Sequence, residues 1–327
     1  MKRTYSIAIL VSAGLLAGGC SGPAEPAPRP SVSMAADVQR QPWTGKGVSG
    51  EQILTANFHI YTTTKQPYLR DHVAGFMEAA HRQHLALAGL ADKPLGKRMD
   101  VYLMSTRDEW ADMTQAHLGP QSGPYMHIQA GGYMTEGVCV FWNIGALTTL
   151  RVASHEGLHQ LFYHRLRHRP PVWLEEGLCT QAEGFQIRGL SVEFDPADNP
   201  DRFSAVRESL AGRTWLPLRD LLVMDAGQAV NGRTESAVQY YGQLWALVLF
   251  LQSRPDTRDG VQRMLLDAEA GQLHGPAGVS RQAMDHQRTR ELNREVSIRL
   301  FEHYITRDLD RFERGYVAFA KRLVRWR

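Results

Sequence analysis

One stretch constrains this chain more than any other: Ser154-His155-Glu156-Gly157-Leu158-His159, with Pro170-Pro171 and Trp173-Leu174-Glu175-Glu176-Gly177 after it. Leu150, Ala153, Leu158, Leu161, Phe162 and Leu166 recur at helical spacing, so the segment from about Thr149 to His168 reads as a helix. Arg165, Arg167, His168 and Arg169 crowd its C-terminal end, where positive charge suits the helix dipole, and Pro170-Pro171 stops it. A second helix opens at Val172. His155 and His159 stand one turn apart, so both imidazoles point the same way and can share one metal ion. Glu156, beside the first, is placed to act on a water rather than to bind the metal. Glu176 lies 17 positions after His159, enough chain to finish a helix, turn, and bring a carboxylate back to the same ion. Two His and one Glu leave a fourth position on zinc for water, as catalytic sites do and closed structural sites do not.

H-E-x-x-H at 155–159 followed by W-L-x-E-G at 173–177 resembles the gluzincin peptidases, the group with thermolysin-like and aminopeptidase-like enzymes, and especially the bacterial peptidase-MA-like domains. The resemblance implies an α+β, thermolysin-like fold: an N-terminal mixed sheet with helices, an active-site helix pair, and a mostly helical C-terminal half. It implies one zinc ion per chain on His155, His159 and Glu176, with Glu175 facing elsewhere, and hydrolysis of a peptide or protein substrate with Glu156 as general base. Gly177 would let the two metal helices approach closely. Thermolysin-like enzymes carry Asp four residues after the glutamate ligand; Thr180 stands there, and Glu183, on the same face as Glu176, is the candidate to support the first histidine.

Tyr240-Tyr241-Gly242-Gln243 resembles a downstream helix of the same domains. Carried over, Tyr241 is the phenol facing the metal and Tyr240 its stand-in; the other reading is two interfacial aromatics with wet hydroxyls. In gluzincins a sheet-edge strand lines the cleft and pairs with extended substrate. The resemblance gives that role to residues 138–143, which composition marks only as a strand. The chain has no G-x-M-E-N-like stretch of the kind that grips a free amino terminus, so internal cleavage is the expectation.

Lys2 and Arg3 precede an apolar run, Tyr5 to Leu16, too short to span a bilayer, and the run ends in Leu16-Ala17-Gly18-Gly19-Cys20. This resembles a bacterial lipoprotein signal, residues 1–19, with cleavage before a lipid-modified Cys20; Ala17 departs from the Leu usual there. An ordinary secretory signal is the alternative, and either exports the chain to the envelope. Residues 20–42, rich in Pro, Ala, Gly and Ser, read as an extended tether. The domain proper is expected at 43–327, divided into an α/β half, 43–183, and a mostly helical half, 184–327. Net charge is +3, with no footprint for nucleic acid. After Cys20 only Cys139 and Cys179 remain; in an exported chain they pair as a disulfide or sit as small buried residues.

Along the rest of the chain, Asn57–Thr63 and Met99–Met104 read as strands around a helix from about Leu69 to Leu90, a β-α-β unit. His72, His81 and His84 on that helix have no acid or Cys in the pattern and read as packed or solvated. Residues 184–199 read as an irregular polar loop; a calcium role for Asp195 and Asp198 lacks the regular ligand spacing. Helices are expected at 201–211, 216–224, 234–253, 261–270 and from 291 on. The basic end (Lys321, Arg322, Arg325, Arg327) reads as a solvated face, with anionic lipid headgroups as the runner-up. Besides the hydrolase, a zinc-containing but inactive envelope protein for binding or assembly keeps the metal ligands. A metal-free helical protein does not account for the W-L-x-E-G segment.

Overall fold

The computed structural model describes residues 6–9, 31–45, 47–224, 234–275, 278 and 290–325. Cys20 and most of the expected signal and tether lie outside the described residues, as does Arg327. In chain order the elements begin with β1 (Ser6–Ile9), β2 (Ser31–Ser33), β3 (Gln39–Gly45), β4 (Val48–Leu54), β5 (Phe58–Thr62) and α1 (Pro67–Ala88). There follow β6 (Met99–Met104), α2 (Arg107–Leu118), β7 (Gly131–Thr135), β8 (Val138–Trp142), α3 (Ala146–Arg165) and α4 (Val172–Ala182). The rest is β9 (Phe185–Arg188), β10 (Ser191–Phe194), α5 (Pro200–Ala211), α6 (Leu218–Val223), α7 (Thr234–Gln252), α8 (Pro255–Ala270), α9 (Arg290–Tyr304) and α10 (Leu309–Leu323). The class is α+β.

The main sheet is mixed. Its order is β1-β7-β8-β6-β5-β4-β3, with β5, β6 and β8 parallel to one another and the other pairs antiparallel. The parallel step from β5 to β6 runs through α1, the expected β-α-β unit. Alternation along β5 and β6 sends Phe58, Ile60, Val101 and Leu103 to one face, where α1 and α3 cover them with Val73, Phe76, Met77, Leu150 and Val152. The opposite face of β7 and β8 packs Tyr133, Val140 and Trp142 against Trp110 and Met113 of α2. Behind the sheet, α5 to α10 gather around α7, whose Tyr240 to Val248 are buried on all sides. That helix is central core rather than amphipathic, and among the described residues no helix is long and apolar enough to cross a membrane.

Four expectations are corrected. Residues 138–143 do not form a sheet edge: β8 lies between β6 and β7, and the outer strand of residues 39–142 on that side is β7, along which β1 is laid antiparallel. The tether does not extend to 42. Ser31–Ser33 pairs with β10 and Gln39–Gly45 with β4, and Pro42 is tolerated because β3 is an edge strand with one open side. Residues 184–199 are not a plain loop. Phe185 and Phe194, with Ile187 and Val192, form a hairpin around Gly189 (φ +60°) that packs on Phe76 of α1. Asp195 and Asp198 hold its exit, accepting hydrogen bonds from the Ala197 N–H and Gln186 Nε2. The change from α/β to helical half therefore falls after Phe194, not at 184. The expected C-terminal helix is two, α9 and α10, separated by a turn.

Candidate metal centre

The helix α3 is buried around most of its circumference, which is why its sequence mixes polar residues into every face. Those polar groups have named partners. Gln160 Nε2 donates to the carbonyls of Asp100 and Gly137, fixing α3 to the sheet. Ser154 Oγ donates to the Ala182 carbonyl at 2.7 Å, fixing α3 to α4. His84 of α1 stands 3.1 Å from the same Ser154 Oγ, and burial pushes its imidazole down to about 3. Pro171 caps α4, its carbonyl accepting from the Leu174 and Glu175 N–H groups, so the Pro-Pro corner both ends one helix and starts the next.

Across that corner three donor atoms converge. Glu176 Oε2 lies 3.5 Å from His155 Nε2 and 3.5 Å from His159 Nε2. The imidazole centroids are 5.0 Å apart. None of the three atoms has a hydrogen-bond partner, although all are buried. Zinc bonds of about 2.0–2.2 Å at tetrahedral angles put neighbouring donors about 3.3–3.6 Å apart. The observed spacing fits. Cys179, one turn along α4 from Glu176, is a further donor: His155, His159 and Cys179 lie close enough together to hold a metal ion, their ligand atoms within 4.8 Å of one another.

The opposite nitrogens of both rings are held by carboxylates. His155 Nδ1 is 2.7 Å from Glu183 Oε1, and His159 Nδ1 is 2.7 Å from Glu175 Oε1. Such partners fix the tautomer that leaves Nε2 free for a metal. Glu183 is in turn hydrogen-bonded by Asn199 Nδ2 and by Arg202. Glu175 is held by Arg169. Glu183 thus supports the first histidine as expected, whereas Glu175 does not face elsewhere: it is the second histidine's support. Thr180 donates its hydroxyl to the Gly177 carbonyl and takes no part in orienting a ring.

The electrostatics point the same way. Burial alone would raise the Glu183 carboxyl, but the Arg202 charge and His155 bring it down to about 2. Burial would likewise raise Glu176, and His159 with His155 overcome it and hold the carboxyl well below its usual range. Glu156, Glu175, Glu176 and Glu183 are all buried, against the guanidiniums of buried Arg202 and half-buried Arg169. With neutral imidazoles two negative charges are left over. A dication would cancel them; without one, burial is overcome and the neighbouring groups raise both imidazoles instead.

Tyr241 of α7 brings its ring edge-on to His155, 6.3 Å between centroids, and Tyr240 turns its hydroxyl to the Met224 carbonyl at 3.1 Å. Burial first, and the Glu176 charge second, push the Tyr241 phenol well above its ordinary value, so it stays a donor. Glu156 is buried on α3, where its charge acts on Tyr241 and its backbone carbonyl accepts the Cys139 thiol at 3.3 Å. Cys139 and Cys179 are both free and buried, so the disulfide does not form. Gly177 serves a different contact from the one expected: a Cβ there would meet Val248 Cγ2 at 2.4 Å and the Leu244 carbonyl at 3.0 Å, so it admits α7, not α3. His81 packs edge-on to Phe58. Lys321, Arg322 and Arg325 are exposed.

Sequence reading missed Arg169, Asn199 and Arg202. One signal was available: Arg202 stands on the stripe of α5 that also carries Ala205, Val206 and Ser209, and a charge on a buried stripe asks for a buried partner. No protein-family profile matches this chain, and no curated protein matches it.

Proposed function

We propose that this chain is a zinc-dependent peptide hydrolase of the gluzincin type, exported to the bacterial envelope and anchored there through a lipid on Cys20. The observation that carries the hydrolase reading is the triangle of Nε2, Nε2 and Oε2 atoms, with each imidazole clamped from behind by its own carboxylate. Arrangements of this kind hold a metal by its ligands and by their supports together.

Zinc bound there would polarise the scissile carbonyl and acidify a water. With the ion bound, His155 and His159 would offer Nε2 to it, because Glu183 and Glu175 hold Nδ1–H on the other side. Glu156 takes the water proton and passes it to the leaving amine, so that the amine departs neutral. Tyr241, kept protonated by burial, donates to the oxyanion as the tetrahedral carbon forms. Extended substrate would lie along the outer side of β7, the place that β1 takes in the structure, antiparallel to β7 and touching α3.

A second reading has its own support. The donor cluster is fully buried and Cys179 stands within reach of the histidines, as suits a closed zinc site in a binding or assembly protein. A peptide-library digest separates the two. The hydrolase reading expects cleavage by the wild-type protein and, for Glu156→Gln, retained zinc with a loss of about 100-fold or more in rate. Zinc without cleavage in either protein would favour the closed site.

A further inference from the structure

Arg202 is 2 % exposed, and an isolated guanidinium at that depth would be strongly unfavourable. Its fork grips Glu183 twice, Nε to Oε2 at 3.0 Å and Nη2 to Oε1 at 2.7 Å. Oε1 is the same oxygen that faces His155 Nδ1. The other face of the guanidinium lies over the Tyr241 ring, Cζ to centroid 5.2 Å, and that ring meets His155 edge-on. His155, Glu183, Arg202 and Tyr241 therefore close a ring of contacts drawn from α3, the end of α4, α5 and α7.

The backbone is shaped for this closure. Gly242 follows Tyr241, and a Cβ there would meet Ala205 Cβ at 2.7 Å and the Arg202 carbonyl at 3.3 Å. Any other residue would hold α7 off α5 and draw Tyr241 away from the guanidinium. Asn199 caps α5 through the Arg202 N–H while donating Nδ2 to Glu183 Oε2 and to the Thr180 carbonyl, so the first turn of α5 is docked on the carboxylate.

We infer that Arg202 is a positioning residue that sets His155 and Tyr241 in one frame, so that metal retention and placement of the phenol depend on each other through α5. The metal half of this stands on the donor geometry; the Tyr241 half rests on the hydrolase reading. Lys cannot replace Arg here, because a point charge lacks both the fork for Glu183 and the flat face for Tyr241.

The test uses the full chain with Arg202→Met, Arg202→Lys, Tyr241→Phe and Tyr241→Leu. Zinc affinity is measured by chelator competition, and the low-field proton resonance of the hydrogen-bonded His155 Nδ1–H is followed with and without zinc. Arg202→Met is expected to weaken zinc binding about 10–100-fold and to shift or remove the resonance, with Lys restoring only part of each. Tyr241→Phe keeps the ring and is expected to keep the affinity, whereas Tyr241→Leu lowers it. Unchanged zinc affinity and an unchanged resonance in Arg202→Met, even with a lower melting temperature, would overturn the inference. Should Arg202→Met not fold, Arg202→Lys carries the same comparison. A wild-type protein that took up no zinc would end the hydrolase reading, while the metal-free resonance would still decide the role of Arg202.

Discussion

Glu175 Oε1 lies 2.7 Å from Nδ1 of His159, while Oε2 of the adjoining Glu176 lies 3.5 Å from Nε2 of the same imidazole. Consecutive helical residues point about 100° apart, so two neighbouring glutamates reach opposite sides of one ring. The two glutamates therefore meet different nitrogens of one ring: Glu175 supports Nδ1, and Glu176 is the ligand under the proposed reading.

Removing the supports should weaken the metal without deleting a ligand. Glu175→Gln and Glu183→Gln are each expected to cost about 10–100-fold in zinc affinity by chelator competition. They should differ in stability. Glu183→Gln strands the buried Arg202, and breaking a buried ion pair costs about 3–5 kcal/mol. Arg169 is 35 % exposed and can turn to water, so Glu175→Gln should lose less. Equal losses in urea melts would show that the Arg202 pair carries no special weight.

The pH dependence has a definite sign. Burial opposes protonation of His155 and His159, yet Glu176 and Glu183 raise the first imidazole, and Cys179, Glu176 and Glu175 raise the second. In the metal-free protein this protonation stabilises fully below the ordinary histidine value of about 6.5, and the contribution is lost as pH rises through the raised native values. A ligating imidazole must be neutral, so zinc displaces those protons. Glu176, held below its usual range, contributes above that range and loses its contribution only as pH falls through its lowered value, outside the window in question. Zinc should therefore raise the melting temperature more at about pH 8 than at about pH 6. An equal or larger rise at the lower pH would contradict this.

Cobalt distinguishes the third ligand. If Glu176 completes the site, cobalt-loaded protein lacks the intense near-ultraviolet charge-transfer band of a thiolate, and Cys179→Ser leaves its spectrum unchanged. A thiolate band abolished by Cys179→Ser would place the sulfur on the metal instead and favour the closed site. Without a metal, burial pushes the Cys179 thiol up to about 12, so a thiolate would form only on the ion.

Gly177→Ala tests how α4 is seated. The added methyl meets Val248 Cγ2 at 2.4 Å and the Leu244 carbonyl at 3.0 Å, so α4 and α7 must separate. Overpacking of this kind costs about 1–3 kcal/mol. Because Glu176 is the preceding residue, zinc affinity should fall with stability. A fully stable Gly177→Ala protein would contradict so close an approach of α7 to α4.

The convergence of His155, His159 and a carboxylate of α4 was legible because it is local: it follows from helical spacing and a proline corner, while the choice of Glu176 came from the resemblance. The helices α1, α3, α4 and α7 begin or end within about four residues of their patterns. Two misses were local hairpins: Thr135 pairs with Val138 across Glu136-Gly137, and Gly45 pairs with Val48 across the turn at Gly47, left-handed turn glycines that the strand patterns alone did not use. The other misses depend on long-range pairing. The Pro-rich composition of residues 20–42 suggested a tether along their whole length, yet Ser31–Ser33 is recruited by a hairpin more than 150 residues away. Arg202 reaches Glu183 from a different helix, and only its place on a buried stripe hinted at it.

The most direct measurement is the zinc content of the freshly purified protein, beginning no later than Ser21 so that β2 and β3 are kept, beside His155→Ala, His159→Ala and Glu176→Ala. The account predicts one zinc per wild-type chain, near-complete loss in each variant, and full retention in Glu156→Gln. Wild-type protein without zinc, or Glu176→Ala with an undiminished share, would contradict it.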